Sequence, residues 1–510
     1  MGTMLNIEIF EEEEMKDTNR ILLSFLLIGL LVTACTGAQQ AQSSNLAATD
    51  ELAIFSQGLI EAEQDTPQQF PTATRYELQL TLTEPYAEVE GQEQITYWNN
   101  EDVVLEEIYL RMFPNNAGDT MVVSKLLVAE EESPINIEYE NTALRVDLPA
   151  ALQPGESVIL DLTYTVQIPT DFGGNYGLFS YMDGVLALDQ VYAIIPVYDD
   201  EGWNVEIPAL NGDMIYADPA FFSVTIQAPA DLVIASSGVV VEEQEKGGMK
   251  TQTVLAGPVR DFYLAASTNY RVVSEQVGET LVTSYYPSEY EEGGEFALQV
   301  GVNALKSFNE RFGTYPYTEL DLVSTPMQAG GMEYSGIVAM GIQYYDASQN
   351  YSGMPALTIL ESATAHEVGH EWFFNLVMND QIDEPWIDEG MAQYLASLYY
   401  EDTYGITAAQ SYQDSWEARW NRAGHAAIPI GLPVRDYDEA EYSAIIYGRA
   451  PLFIQSLREK MGDAVFFDFL KTLFEKYEWG ILTTEEFRAL AEEACGCDLQ
   501  EDFETWVYAQ

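Results

Sequence analysis

The sequence predicts an α+β protein: a β-rich domain over residues 72–270, then an α+β unit over 271–510 whose C-terminal half is helical. Two changes of hydrophobic period lead to this reading. Tyr76, Leu78, Leu80 and Leu82 alternate with Glu77, Gln79 and Thr81, the pattern of a half-buried strand. After Tyr270 the spacing changes: Phe296, Val300, Leu305 and Phe308 fall on one helix face that ends before Gly313, and long helical patterns dominate from Leu357 onward.

The first 35 residues read as an address. Lys16 and Arg20 precede the apolar run Ile21 to Ala34, which has 14 residues and is too short for an ordinary membrane span. It fits a secretory signal. Val32-Thr33-Ala34-Cys35 resembles a bacterial lipobox, so Cys35 is expected to be the acylated first residue of the mature protein; the alternative is a signal peptide with a coincidental cysteine. Glu11 to Glu14 sit awkwardly before a basic leader, and a start at Met15 gives the conventional MKDTNR. The expected location is extracytoplasmic, lipid-anchored to a bacterial membrane. Residues 36–71 are expected to form a flexible tether, small and polar over Thr36 to Thr49, with room for a short helix between Glu51 and Gln69.

Further strands are expected at Glu93 to Trp98, Val158 to Tyr164, Phe222 to Ile226 and Thr251 to Leu255, separated by clusters such as Pro114-Asn115-Asn116 and Gly173-Gly174-Asn175. Leu320 to Ser324 reads as a strand of the second unit, and Phe466, Phe469 and Leu473 as helix core.

Composition bounds the function. The chain has 510 residues, 47% of them hydrophobic, which excludes wholesale disorder. It carries 21 Lys and Arg against 83 Asp and Glu, a net charge of −62, and such a field excludes a nucleic-acid partner. The acids are spread along the chain, as on a solvated acidic surface. Three cysteines cannot build a disulfide framework, and Cys495 and Cys497, one residue apart, read as free or locally paired thiols.

The chemistry lies in the second unit. Two of the three histidines fall in His366-Glu367-Val368-Gly369-His370, a pattern that chance would produce with a probability on the order of 0.002. Residues four apart share a helix face, so both imidazoles can reach one metal. Tetrahedral zinc suits two such nitrogens, a third protein ligand and one open position. Glu389, in Trp386-Ile387-Asp388-Glu389-Gly390, supplies the third ligand: 18 residues separate it from His370, enough for the helix to end, turn and start another. Asp383, Glu384 and Asp388 are expected to be solvated, and His425 to lie on a loop or surface.

HExxH followed by 18 residues and a glutamate resembles the zinc signature of the M1 metalloaminopeptidases, gluzincin relatives of thermolysin. His370 to Val377 resembles the family's continuation of that helix, with Glu371 for a common Gln. Gly330-Gly331-Met332-Glu333-Tyr334 resembles the family's GAMEN motif, with Gly331 for Ala and Tyr334 for Asn. Tyr447-Gly448-Arg449-Ala450 resembles its tyrosine-then-basic segment, and Gly257 to Phe262 the end of its N-terminal domain.

This resemblance, over roughly residues 72–510, implies a saddle-like β-domain leading into a thermolysin-like catalytic domain. Asp502 to Trp506 resembles the close of that domain, so a compact member with an open cleft is expected. It implies one Zn2+ per chain, held by His366, His370 and Glu389, with Glu367 as proton carrier and Tyr447 stabilising the oxyanion. Glu333 would bind the free amine of a peptide substrate, with Gly330 and Gly331 allowing close backbone approach. Gln190 either lines the amine site or is a plain polar strand end. Two rival classes stand beside the aminopeptidase: another enzyme on the same metal (a thermolysin-like endopeptidase or an epoxide hydrolase), and a non-catalytic surface binding protein. Oligomeric state is not legible.

Overall fold

Alternating side chains build the N-terminal half around an eight-stranded sheet. Arg75–Leu82 buries Tyr76, Leu78, Leu80 and Leu82 and turns Glu77 and Gln79 to solvent, as a strand with one packed face must. It pairs parallel with Ala220–Pro229 and antiparallel with Glu88–Trp98. The sheet runs Val239–Lys246, Met249–Val259, Ala220–Pro229, Arg75–Leu82, Glu88–Trp98, Ser157–Gln167, Met121–Val128, Glu131–Glu132. The four strands expected after the first are present and longer than their sequence signals. Leu105–Arg111 and Ala143–Leu152, which carry no clean alternation, form a separate three-stranded sheet with Asn136–Glu138. A four-stranded sheet ordered Val233–Ser236, Leu264–Ser267, Val185–Leu188, Phe179–Met182 completes this part.

A five-stranded sheet begins at Tyr270, ordered Tyr270–Val277, Thr280–Pro287, Glu319–Thr325, Ile337–Gly341, Gly331–Tyr334. Helix α1 (Glu291–Phe312) is the crossover between the parallel strands Thr280–Pro287 and Glu319–Thr325. The short outer strand Gly331–Tyr334 runs antiparallel to Ile337–Gly341 and carries Glu333. The rest is helical: α2 (Ala356–Gly369), α3 (Asp388–Tyr404), α4 (Ile406–Arg422), α5 (Glu439–Ala444), α6 (Ala450–Met461), α7 (Asp463–Tyr477), α8 (Thr484–Cys495) and α9 (Gln500–Trp506). Phe466, Phe469 and Leu473 are buried on α7, as their spacing predicts. A disulfide joins Cys495 to Cys497.

This computed structural model describes residues 51–508 apart from 119, 174, 175, 208, 210 and 211. Residues Phe55–Gln510 form one unit. Cys35, the signal segment and residues 36–50 of the expected tether lie outside the described residues. The far end of that expected tether needs correction. Leu59 and Ile60 are buried, Leu59 bridges antiparallel to Tyr317, and the Ile60 amide donates to the Pro316 carbonyl at 2.9 Å. Two apolar side chains in a polar stretch suffice to pin the segment by burial and backbone pairing.

Arg260, just past Met249–Val259, ties the β-rich part to the helical part. It is 0% exposed and donates to the carbonyls of Ala217, Asn375, Leu376 and Gly480. Burial pushes its pKa down to about 10, so the guanidinium stays charged at neutral pH. A buried charge is tolerable only when its donors are satisfied. Arg260→Met should therefore strand four carbonyls and cost about 3–5 kcal/mol in urea unfolding; a loss below about 1 kcal/mol would show that these bonds do not hold the two parts together.

Candidate active site

The site begins where α2 stops. Its last turn tightens: the His370 amide donates to Glu367 at 3.2 Å and the Glu371 amide to Val368 at 3.3 Å, three residues back rather than four. The chain then turns through Phe374, whose φ is +144°, into the short strand Val377–Met378. The helix therefore ends at Gly369, with His370 as its cap, and does not continue to Val377 as expected from sequence. Trp372, Phe373 and Phe374 are all buried, on more than one side of the segment, which a single helix face cannot achieve. Glu371 fixes the turn by accepting from Gly336 N at 2.9 Å, Tyr315 Oη at 3.1 Å and Asn375 Nδ2 at 2.9 Å.

That turn sets the tautomer of His370. Its Nδ1 lies 2.9 Å from the Phe373 carbonyl, which can only accept, so Nδ1 carries the proton and Nε2 presents a lone pair. Nε2 faces His366 Nε2 at 3.1 Å and Glu389 Oε2 at 3.6 Å, and His366 Nε2 lies 3.1 Å from the same Glu389 oxygen. Three potential ligand atoms, His366 Nε2, His370 Nε2 and Glu389 Oε2, converge on one point. A tetrahedral metal with bonds of about 2.0–2.1 Å has ligand edges of about 3.3–3.4 Å, so the triangle fits zinc. Glu389 comes from the first turn of α3, where a negative charge is favoured by the helix dipole. Trp386, donating from Nε1 to Thr484 Oγ1 at 2.9 Å, seats the start of α3 against α8.

Glu367 shares the neighbourhood of both imidazoles, within 4.8 Å, but among the described residues only Glu389 comes within 4.0 Å of both. Glu367 lies instead under Gly331: a Cβ there would stand 2.5 Å from Glu367 Oε1. Gly331 is thus required by the Glu367 carboxylate as well as by any approaching peptide. At Gly330 a Cβ would meet nothing closer than 3.7 Å.

Tyr447 lies in the π-turn Ile445–Arg449 between α5 and α6, and its hydroxyl donates to Glu389 Oε1. Such turns displace one residue from the helical ladder and aim it elsewhere. Glu333 Oε1 accepts from Gln381 Nε2 at 3.0 Å, and the same nitrogen donates to Asp388 Oδ2 at 2.7 Å. Asp388 is a correction: expected in solvent, it is fully buried and accepts also from Asn379 at 3.1 Å. Its place beside Glu389 on a helix start turned inward forces it under the site. Gln381 and Asn379 carried no sequence signal. Asp383 does face outward, pairing with Arg435 at 2.7 Å, and Glu384 accepts from the Thr484 amide that opens α8. His425 is exposed, stacked on Trp420 and 3.3 Å from Glu417. Gln190 is buried with φ +40°, and its Oε1 has no partner among the described residues.

These groups open on a cavity of about 1090 Å³, lined by both parts of the fold. Its described walls hold the carboxyls of Asp189, Asp213, Asp261, Glu333, Glu361, Glu367, Glu389 and Glu439, against a single basic chain, Arg419. Burial pushes Asp189 up to about 6 and Asp261 to about 7. Burial, then the neighbouring Glu333 charge, drives Glu367 well above the usual carboxylate range. Glu389 runs the other way: burial opposes its charge, but His366 and His370 hold it well below that range.

Residues 296–506 match the Peptidase family M1 domain. The match covers 211 of the 510 residues, the part of the chain that holds the histidines and Glu389. Aminopeptidase 2 of Candida albicans is 26% identical over 308 residues, covering 57% of this chain and 33% of that protein. Aminopeptidase M1-B of Oryza sativa subsp. japonica is 28% identical over 309 residues, covering 58% and 35%. The chain thus spans about a third of the length of these relatives. In structure it resembles an M1 zinc metallopeptidase of Deinococcus radiodurans, with a TM-score of 0.66 at 21% identity, covering 86% of this chain and 94% of that one. A form of that protein bound to a Tyr-Ser-Ala substrate gives 0.64 at 22%. The fold is therefore the two-part M1 architecture, a β-rich part followed by a catalytic part with a helical C-terminal half.

The geometry separates Glu389 and Glu367 by role. Glu389→Gln should weaken metal retention at least tenfold, because the oxygen between the imidazoles loses its charge, whereas Glu367→Gln should bind zinc at full stoichiometry and lose turnover. Elemental analysis of both variants after dialysis tests this, and an equal fall in zinc would overturn the division.

Proposed function

We propose that this chain is a zinc-dependent aminopeptidase that removes the N-terminal residue of peptides with free amines. The observation that carries this reading is Glu333. Its carboxylate lies in the cleft of the His366–His370–Glu389 triad, one oxygen fixed by Gln381, with no Lys or Arg against it among the described residues. Arg449, the basic residue that could have braced it, donates instead to the carbonyls of Ile428, Thr505 and Trp506. A carboxylate kept in a low-dielectric cleft without a protein cation is matched by a substrate ammonium. The relatives named as aminopeptidases support the same activity.

One zinc per chain suits the site, because the other nearby grouping, Glu333 with His370 and Asp388, shares His370 and cannot fill independently. Zinc bound at His366, His370 and Glu389 supplies Lewis acidity and a water of lowered pKa. Glu333 orients the peptide by its ammonium, which places the first peptide bond, and no later one, over the triad. Glu367 takes a proton from the attacking water at a carboxylate oxygen and returns it to the leaving amine; its raised affinity for a proton suits that task. The Tyr447 hydroxyl donates to the oxyanion that forms as the carbonyl is attacked.

Glu333→Ala should cut kcat/KM for aminoacyl arylamides by about 2–5 kcal/mol of transition-state binding while zinc stays bound. Wild-type enzyme should leave N-acetylated peptides intact. Cleavage of blocked and free peptides at comparable rates would instead favour the endopeptidase.

We propose, from the signal sequence alone, that Cys35 is acylated and anchors the enzyme outside the cytoplasm. No helix of the described residues is long and apolar enough to cross a membrane, and stable anchoring by lipid takes more than one acyl chain. Intact mass measurement of membrane-extracted protein should show a multiply acylated N-terminal cysteine; an unmodified Cys35 or another cleavage point rules the anchor out.

A further inference from the structure

Arg419 is the single basic side chain on the described walls of a cleft that holds eight carboxyls. In a chain with four times as many acids as bases, a cation in that position would ordinarily be neutralised by a neighbour. Most other arginines of the described fold are engaged. Arg311 and Arg458 pair with Glu401, Arg435 with Asp383, and Arg260 and Arg449 with carbonyls. Arg419 has neither a carboxylate at ion-pair distance nor a hydrogen-bond acceptor among the described residues. Its guanidinium lies 5.6 Å from the centre of the Tyr447 ring.

The position is built rather than accidental. Arg419 is in the last turn of α4, and α4 meets the π-turn of Tyr447 backbone to backbone. A Cβ on Gly448 would stand 2.9 Å from the Trp416 carbonyl and 3.1 Å from Arg419 Cβ, so only glycine permits this approach. The contact holds Arg419 beside the tyrosine that touches Glu389. Arg419 and Glu333 also lie by different imidazoles: the Glu333 carboxylate is within 4.8 Å of a His370 ring nitrogen, whereas Arg419 stands over the Tyr447 ring, whose centre is 5.9 Å from that of His366. Glu333 thus approaches the site beside His370, and Arg419 through Tyr447 beside His366.

We propose that Arg419 binds a carboxylate on the leaving-group side of the substrate, so that the enzyme acts preferentially on short peptides read at both ends. This deepens the aminopeptidase reading and rests on it. With the ammonium at Glu333 and the first peptide bond at the triad, the chain beyond that bond runs toward Arg419. Each further residue spans at most about 3.3–3.6 Å, so the C-terminal carboxylate of a dipeptide or tripeptide arrives first. An acidic side chain next to the scissile bond offers the same chemistry. A bidentate guanidinium–carboxylate pair gives orientation as well as attraction.

The test compares kcat/KM for Leu-Ala and Leu-Ala-Ala as free acids and as C-terminal amides, and for Leu-Asp-amide against Leu-Asn-amide, with the zinc-loaded protein and with Arg419→Met and Arg419→Lys. The wild type should favour a free acid over its amide by about tenfold or more, and Arg419→Met should bring that ratio to near one whatever happens to the absolute rate. Arg419→Lys should keep part of the preference. A preference confined to Leu-Asp-amide would place the bound carboxylate on a side chain, still at Arg419. No acid preference in the wild type, or one that survives in Arg419→Met, overturns the proposal. Cleavage of N-acetyl-Leu-Ala as fast as Leu-Ala would instead overturn the amine-recognition reading, independently of the acid-to-amide ratio.

Discussion

The rest of the structure depends on one electrostatic constraint: carboxylates gathered in a buried cleft with almost no protein cation to meet them. Glu333, Glu367, Asp388 and Glu389 are each at most 6% exposed and lie about the same two imidazoles. Left alone, such a cluster takes up protons, and burial does drive most of its members upward. Glu389 is held charged by His366 and His370, the geometry of a divalent-cation site. The remaining negative potential is directed at whatever cation enters the cleft. Metal and, on the proposed function, substrate ammonium are two answers to one imbalance; Gln381 donates to both Glu333 and Asp388, the neighbour of Glu389 on α3.

Holding like charges together takes a rigid frame, and its parts come from places far apart in sequence. The break of α2 at Gly369 frees His370 to donate to Phe373, which fixes the lone pair. The π-turn at Ile445–Arg449 directs Tyr447 at Glu389 from a third helix. Arg260 binds carbonyls on both sides of the junction between the β-rich part and this frame. Each is an irregularity braced by hydrogen bonds, so the departures from ideal helix and strand are held where the chemistry needs them.

Much of this was legible in the sequence, and the reason differs by level. The strand at Arg75–Leu82 and helix α1 were readable because each buries one face, which writes a period into the chain. The metal triad was readable because HExxH fixes two ligands on one helix turn and a following helix start must supply a third. Glu333 and Tyr447 were reachable through resemblance alone, since nothing local marks one acid among 83 or one tyrosine among 32. The strand Leu105–Arg111, half-buried in an irregular pattern, left no period to detect. Asp388 was misplaced into solvent because an acidic chain makes any single acid look like surface; its burial follows only from Asn379 and Gln381, which reach it from a turn. The break at His370 was hidden for a related reason: Trp372, Phe373 and Phe374 suit a helix as well as a turn, and the tertiary core decides.

The distribution of charge also orders the substrate. The chain carries a net charge of −62, so long-range attraction favours cationic ligands without distinguishing their ends. Discrimination arises inside, where Glu333 lies beside His370 and Arg419 beside the Tyr447 ring, which faces His366. A zwitterionic peptide that entered in reverse would place its carboxylate against Glu333 and its ammonium against Arg419, two like-charge contacts at once. In the forward direction both become attractive, and the first peptide bond lies between them at the triad. On the proposed function, the polarity of cleavage follows from Glu333 and Arg419, with the metal ligands themselves indifferent to direction.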